Sequence, residues 1–500
     1  MGPLDLGSIL DALGWATWLL GLLYVAGAAA ALDAIMKART PQGATAWVFA
    51  LATLPLIALP LYIIFGRVRF GDYLTASEAF ETETGDLLEA ARAHACAPRP
   101  VAHAGDGQPA ATDEDGPDGR DAGEMRAFSE LATLELTSGN EAALLVDGQA
   151  TFDALFAALD RAEDYILTQF YIVHDDRIGT AYADRLIAAA QRGVRVHFLF
   201  DGVGSWKLPR AYRRRLSDAG VEVCSFTGPR SWLKKLRLNF RNHRKITVVD
   251  GREAFVGGLN AGDEYLGRDE DIGPWRDTHL HVRGPVVQGL QFSLVSDLYY
   301  ATREVVDGLV WEPTPAAADQ TALVLASGPA DPMETCGLLY THAIESAEER
   351  VWIATPYFVP DGRVLGALQL AALRGVDVRV IMPRTSDSLF FKWVPYAYLD
   401  EVERAGVKIY LHEPGFMHQK VALVDRDFAA VGTANFDNRS FRLNFEATVV
   451  VRDTAFCDEV AAMLEDDLGR STEITSHDLD DQSALFRFGA QATRLLAPIL

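Results

Sequence analysis

Two short patterns in the chain combine residue types suited to one kind of chemistry. The first is His243-Arg-Lys245-Ile-Thr-Val-Val-Asp250 and the second His418-Gln-Lys420-Val-Ala-Leu-Val-Asp425. Each reads His-x-Lys followed, after four residues, by Asp. The apolar run after each Lys has the character of a strand, and residues two apart on a strand share a face. His243 therefore projects with Lys245, and His418 with Lys420. Asp250 and Asp425 have the opposite parity and fall at the strand end, where Asp250-Gly251 reads as a hairpin turn. They either buttress the site or are turn residues only. A small-residue segment follows each hairpin, ending in Asn260 and in Asn435, whose amides can donate to a phosphate oxygen. Further on, a carboxylate recurs as Asp277 and as Glu446; a buried carboxylate beside each His fixes its tautomer and raises its basicity. Two His, two Lys and two Asn around one point suit a phosphodiester. One imidazole attacks phosphorus to give a phospho-histidine, and the other protonates the departing alcohol and deprotonates the incoming one. The lysines and asparagines balance charge on the phosphoryl oxygens, so no metal or cofactor is expected. The remaining histidines, such as His174, His197, His279 and His281, lack a supporting ligand cluster.

The elements that must position these residues repeat. Residues 165–173 read as a buried strand, 180–192 as a helix ended by Gly193, and 194–200 as the next strand. The order returns in the second half. Val351-Trp-Ile-Ala-Thr-Pro-Tyr-Phe-Val answers the first strand, and Arg374-Gly-Val-Asp-Val-Arg-Val answers Arg192-Gly-Val-Arg-Val. This is a duplication of a whole α/β unit. It predicts two similar α/β lobes, 136–320 and 321–475, related by a pseudo-twofold axis, with the site where they meet.

The 500 residues exceed one ordinary domain, and the segments before 136 differ in kind. No charge lies between Asp11 and Asp33, and none between Arg39 and Arg67. Two runs of roughly 20 or more apolar residues predict a two-helix transmembrane hairpin over 1–70, with Pro55 and Pro60 tolerated in a membrane helix. A cleaved signal peptide is disfavoured because no Lys or Arg precedes the first run. Lys37 and Arg39 on one side, and Arg67 and Arg69 on the other, make both ends of the second run basic, so charge sets no clean orientation. A hairpin puts the N-terminus and the large C-terminal part on one side, expected to be cytoplasmic. Residues 71–135 read as an acidic linker rich in Ala, Gly and Pro, its second half a flexible spacer; 476–500 read as an amphipathic tail that lies on the bilayer or packs on the core. The formal charge of −23 disfavours a nucleic-acid binder. Against that background Arg230, Lys234, Lys235, Arg237, Arg241 and Arg244 form a local basic cluster suited to anionic headgroups. The four cysteines are scattered, which disfavours a zinc site or a disulfide framework.

The paired motifs resemble those of the phospholipase D superfamily, over 136–475. Asn242-His-Arg-Lys, Gly257-Gly-Leu-Asn-Ala-Gly-Asp-Glu-Tyr-Leu-Gly, Trp275-Arg-Asp-Thr-His-Leu, Thr355-Pro-Tyr-Phe-Val-Pro-Asp, Pro414-Gly-Phe-Met-His-Gln-Lys and Asn435-Phe-Asp-Asn-Arg-Ser-Phe are similar to its bacterial cardiolipin synthase branch, which also begins with a membrane hairpin. Gly258 stands where many superfamily members have Ser or Thr; that branch commonly has Gly-Gly there. The resemblance implies a multi-pass enzyme of the cell membrane that converts two phosphatidylglycerols to cardiolipin and glycerol. His243 would be the nucleophile and His418 the acid/base, or the reverse. Phosphatidylethanolamine is an alternative second substrate. A phospholipase D-type hydrolase shares every motif, a nuclease fits poorly with membrane helices and an acidic chain, and an inactive scaffold fits poorly with two intact motifs.

Overall fold

The computed structural model describes residues 6–38, 40–66, 70–93, 117–226, 240–270, 272–385 and 393–497. Two compact units are present, one holding the N-terminal helices and the other running from Tyr73 through the α/β part. In the first, helix α1 spans Leu6–Lys37, α2 Pro41–Thr53 and α3 Pro55–Phe65. Among the described residues, one helix is long and apolar enough to cross a membrane, over 17–37. The second apolar run is not one helix. Leu54, ahead of Pro55, adopts φ −134° and ψ 56°, because a proline ring disfavours the α region for the residue before it. Pro55 then starts α3, where its missing N–H costs nothing. Ala34, Leu51, Ala58 and Tyr62 pack between the helices, and the Tyr62 hydroxyl donates to Asp33 at 2.9 Å.

The second unit begins with a difference from the expected linker. Helix α4, Gly71–Ala93, and helix α5, Pro117–Leu131, both lie within 71–135; the spacer between them is outside the described residues. Tyr73 and Phe80 on α4 are buried, and their rings meet those of Tyr300 and Phe292 on the helix Val286–Thr302. Phe128 on α5 packs on Phe428.

Beyond α5 the strands join in one sheet, sixteen-stranded among the described residues. Its middle is the antiparallel pair Thr137–Val146 and Gln320–Ser327, the first strand of each half. Outward from Thr137–Val146 follow Thr278–Arg283, Glu253–Gly257, Ile246–Val249, Tyr165–Phe170, Arg195–Phe200 and Glu222–Ser225. Outward from Gln320–Ser327 follow the counterparts Asn444–Arg452, Phe428–Gly432, Val421–Val424, Arg350–Ala354, Asp377–Pro383 and Lys408–His412. Tyr165–Phe170, Arg195–Phe200 and Glu222–Ser225 are parallel, as are Arg350–Ala354, Asp377–Pro383 and Lys408–His412, with helices in the crossovers; the inner strands are antiparallel, and Ser471–Ile474 adds an antiparallel edge strand beyond Lys408–His412. This is the duplicated, pseudo-twofold α/β fold. The terminal helix Ala484–Leu496 packs Phe486 on Tyr396 and leaves Leu485, Phe488 and Leu495 exposed.

Candidate active site

Each His-x-Lys motif enters its strand through a short bridge to the opposite half. Arg241–Asn242 pairs with Asn444 and Phe445, and the His243 N–H donates to the Phe445 carbonyl at 2.9 Å. Phe416–Met417 pairs with Trp275 and Arg276, and the His418 N–H donates to the Arg276 carbonyl at 2.7 Å. These bridges set each histidine beside the carboxylate of the other half. His243 Nδ1 lies 2.9 and 3.1 Å from the Glu446 oxygens, and His418 Nδ1 lies 2.7 Å from Asp277 Oδ2. Both carboxylates are fully buried. Lys245 and Lys420, also buried, donate to the carbonyls of His243 and His418 two residues back. That contact holds each ammonium beside its imidazole.

The electrostatics follow from burial. Loss of water, with the Lys245 and Lys420 charges adding, pushes His243 down to about 4 despite Glu446. Burial and the same lysines hold His418 well below its usual value. Burial, reinforced by Lys420, brings Lys245 down to about 7. Burial raises Asp277. It would also raise Glu446, but His243, Lys245 and the Thr433 hydroxyl outweigh it and keep Glu446 below the ordinary carboxylate value. At neutral pH His243 is thus uncharged. With Nδ1–H held by ionised Glu446, its Nε2 carries a free lone pair.

Asn260 and Asn435 are buried in the small-residue segments. Asn260 accepts from the Ile172 N–H at 3.1 Å and donates to the Tyr265 hydroxyl at 2.9 Å; Asn435 donates to Asp437 at 3.2 Å. Asp250 and Asp425 lie at the opposite ends of their strands from Lys245 and Lys420 and bind backbone rather than the histidines. Both have positive φ, 53° and 49°, at the far ends of their strands. Asp250 accepts from the N–H groups of Glu163, Asp164 and Tyr165, and Asp425 from those of Glu348, Glu349 and Arg350. Each anchors the start of the neighbouring strand. Of the basic cluster, Arg230, Lys234, Lys235 and Arg237 lie outside the described residues. Arg244 turns inward, its Nη1 shared between the two oxygens of buried Asp297 at 2.9 Å, with Nε on the Glu446 carbonyl and Nη2 on that of Ser327.

The structure adds residues not singled out from sequence. Tyr171 packs edge-on to His243, ring centres 5.0 Å apart; Trp275 lies 5.1 Å and Phe416 5.8 Å from His418. Tyr171 and Tyr357 occupy matching places in the duplicated strands, a signal that was available. The supports of the two carboxylates also correspond. Glu446 accepts from Asn444 and Thr433, and Asp277 from Trp275 and the Thr278 N–H. Gly258 matches Thr433, and a Cβ there would sit 2.0 Å from Asp277 Oδ1. The shorter carboxylate occupies the space that a hydroxyl side chain would need.

Two buried imidazole–carboxylate pairs with two lysines can carry out nucleophilic displacement at phosphorus. The family model described as cardiolipin synthase, PLD-like domain matches residues 155–277 and 340–468, and one described as phospholipase D-nuclease N-terminal matches 25–67. Cardiolipin synthase A of Pseudomonas putida (strain GB-1) is 43% identical over 97% of this chain and 98% of its own. That of Pseudomonas fluorescens (strain SBW25) is 41% identical with the same coverage. The chain belongs to the cardiolipin synthase family. Each matched segment contains one His-x-Lys and one supporting carboxylate, so in this family member the pairing crosses from one segment to the other. A crystal structure of phosphatidylserine synthase from Haemophilus influenzae Rd KW20 superposes with a TM-score of 0.57, at 14% identity, over 76% of this chain and 100% of that one. It shares the fold.

Proposed function

We propose that this cardiolipin synthase family member transfers a phosphatidyl group from one phosphatidylglycerol to a second, releasing glycerol. His243 Nε2 attacks the donor phosphorus as the bond to the glycerol oxygen breaks, and His418 delivers a proton to that oxygen. The entering phosphodiester anion offsets the lysine charges that hold His418 down, which makes its protonated form accessible. In the second step His418 takes the proton of the acceptor hydroxyl, whose oxygen attacks phosphorus as the P–N bond breaks. Lys245 and Lys420 stabilise the charge that spreads over the phosphoryl oxygens, and Asn260 and Asn435 stand in the corresponding small-residue segments of the two halves. The observation that carries this reading is the crossed pairing of His243 with Glu446 and His418 with Asp277 beside two buried lysines. Residues 17–37 supply an apolar span, and we read the N-terminal helices as a multi-pass anchor of the cell membrane with the catalytic unit on the cytoplasmic side.

Purified, detergent-solubilised protein incubated with labelled phosphatidylglycerol is expected to form cardiolipin and glycerol, with His243→Ala and His418→Ala both inactive. Phosphatidic acid as sole product would make the protein a hydrolase. No turnover of phosphatidylglycerol, alone or with phosphatidylethanolamine, would refute the substrate assignment.

A further inference from the structure

The two histidines are held by corresponding parts, but the support behind one of them comes from outside the duplication. His418 donates its N–H to the Arg276 carbonyl, and the Arg276 side chain is fixed by Asp467 at 2.8 Å and by Asp147 at 3.2 Å. Both of these carboxylates belong to the duplicated lobes. His243 donates its N–H to the Phe445 carbonyl, and the Phe445 ring meets a residue of α4. That helix precedes both lobes and is the next helix in the chain after α3.

The residue is Tyr73. Its ring centre lies 4.5 Å from that of Phe445, and its hydroxyl donates to Asp297 at 2.8 Å. Asp297 is fully buried on the helix Val286–Thr302. It also accepts from Arg244 at 2.9 Å, from Asn242 at 2.8 Å and from Gln169 at 3.1 Å. Asn242 and Arg244 are the chain neighbours of His243, one on either side. Arg244 Nε reaches on to the carbonyl of Glu446, whose carboxylate sets the His243 tautomer. One phenol therefore touches two groups that orient this imidazole. Its ring bears on the residue whose carbonyl takes the His243 N–H, and its hydroxyl completes the carboxylate that fixes both neighbours of His243. Each donor lost from a buried carboxylate leaves charge unsatisfied, so such a network holds its members tightly or shifts as a whole. A nucleophile must be aimed closely at phosphorus, and small displacements from remote changes cost rate.

We propose that Tyr73 is a positioning residue for His243, so that α4 completes the nucleophile side of the site and is more than a connection from the N-terminal helices to the lobes. The dependence falls on His243 in particular, because the corresponding hold on His418 runs through Arg276 to carboxylates of the lobes themselves.

The assignment rests on the phosphatidyl-transfer reading and deepens it. Its test uses the full chain in detergent, in excess over phosphatidylglycerol labelled in the headgroup glycerol. At saturating enzyme, the single-turnover rate constant for glycerol release reports the attack of His243 on phosphorus and does not depend on how much of the protein is folded. Tyr73→Leu, which loses ring and hydroxyl, is expected to lower this rate constant at least tenfold, and Tyr73→Phe, which keeps the ring on Phe445, about threefold. The apparent KM for phosphatidylglycerol in steady-state synthesis is expected to stay unchanged. Tyr299→Phe removes a different bond of α4, the one from the Tyr299 hydroxyl to Glu83 at 2.8 Å, and is expected to leave the rate constant as it was. A rate constant unaltered by Tyr73→Leu, with the loss confined to the yield of folded protein, would overturn the proposal; so would an equal fall in Tyr299→Phe, which would trace the effect to the docking of α4 as a whole. If Tyr73→Leu does not fold, Tyr73→Phe decides alone, and an unaltered rate constant in it overturns the proposal. If the unaltered protein releases no glycerol and forms no cardiolipin, phosphatidyl transfer itself fails and the assignment falls with it.

Discussion

Lys245 is fully buried, and removing its charge tests whether the site stores destabilisation for the sake of catalysis. Lys245→Met keeps much of the side-chain length without the ammonium. Burial lowers Lys245 from an ordinary 10.5 to about 7. At about 1.4 kcal/mol per pKa unit, keeping the charged form in the fold costs on the order of 5 kcal/mol below pH 7. Against that, Met forfeits the hydrogen bond to the His243 carbonyl, 2.7 Å long, at a cost of about 1–3 kcal/mol for the group left unsatisfied. The variant is therefore expected to be about 3 kcal/mol more stable at pH 6. The sign of the pH dependence follows from proton binding. Between pH 7 and 10.5 the unfolded chain keeps the Lys245 proton and the folded one does not, so native stability rises with pH across this window. The Met variant has no such term, and its advantage shrinks by about 3 kcal/mol between pH 7 and pH 9. Chemical denaturation in detergent at pH 6 and pH 9, followed by tryptophan fluorescence of matched samples, measures both values. Cardiolipin formation by the variant is expected to fall at least a hundredfold. A variant less stable at pH 6, or one whose advantage is equal at the two pH values, would refute the reasoning, because Glu446 and Asp277 would then already compensate the ammonium.

Glu446→Gln retains the shape of the His243 support and removes its charge; cardiolipin formation should drop by about 10²–10⁴ while the denaturation midpoint stays close to that of the unaltered protein. Gly258→Ser places a Cβ 2.0 Å from Asp277 Oδ1. It should displace Asp277 from His418, cost about 1–3 kcal/mol of stability and reduce synthesis more than a hundredfold, whereas Thr433→Gly, which loses one hydroxyl, should cost about tenfold at most. Tyr73→Phe deletes the 2.8 Å hydrogen bond from α4 to buried Asp297. A loss of about 1.5–3 kcal/mol is expected from a bond to a charged acceptor, measured as a lowered denaturation midpoint.

Much of this architecture could be read from spacing. The duplicated strand–helix–strand order and the two His-x-Lys motifs locate both halves and their junction, since a period-two strand must turn each His and its Lys the same way. The crossing of the pairs could not be read in this way. Asp277 follows His243 and Glu446 follows His418 in the chain, but the backbone bridges 241–242 to 444–445 and 416–417 to 275–276 form only in the folded molecule. Asp250 and Asp425 share the motif but not its direction; their parity and the following turn already pointed away from the histidines, and both cap backbone. Likewise the composition of residues 71–135, rich in Glu, Thr and Gly, concealed α4, although its buried positions Tyr73, Ala76, Phe80 and Thr84 recur at helical spacing. The break at Leu54 was legible from Pro55, which disfavours the α region for the residue before it.

The crossed pairs bear on how accurately two lobes must be held. Each imidazole takes its tautomer from a carboxylate in the other half, and each His N–H is also tied to a carbonyl across the junction. A shift of one lobe by a fraction of a hydrogen-bond length would loosen both pairs at once. The central pairing of Thr137–Val146 with Gln320–Ser327 is confined to Thr137–Ala322 and Asn140–Gln320, on either side of an irregularity, so the backbone bridges 241–242 to 444–445 and 416–417 to 275–276 carry much of that alignment. The compensation at Gly258 points the same way. Asp277 is one methylene shorter than Glu446, and the His418 pair still closes at 2.7 Å because a glycine and an indole N–H replace the hydroxyl and amide of the other pair. The two halves therefore reach matching imidazole geometry with unlike parts, Gly258 and Trp275 on one side against Thr433 and Asn444 on the other.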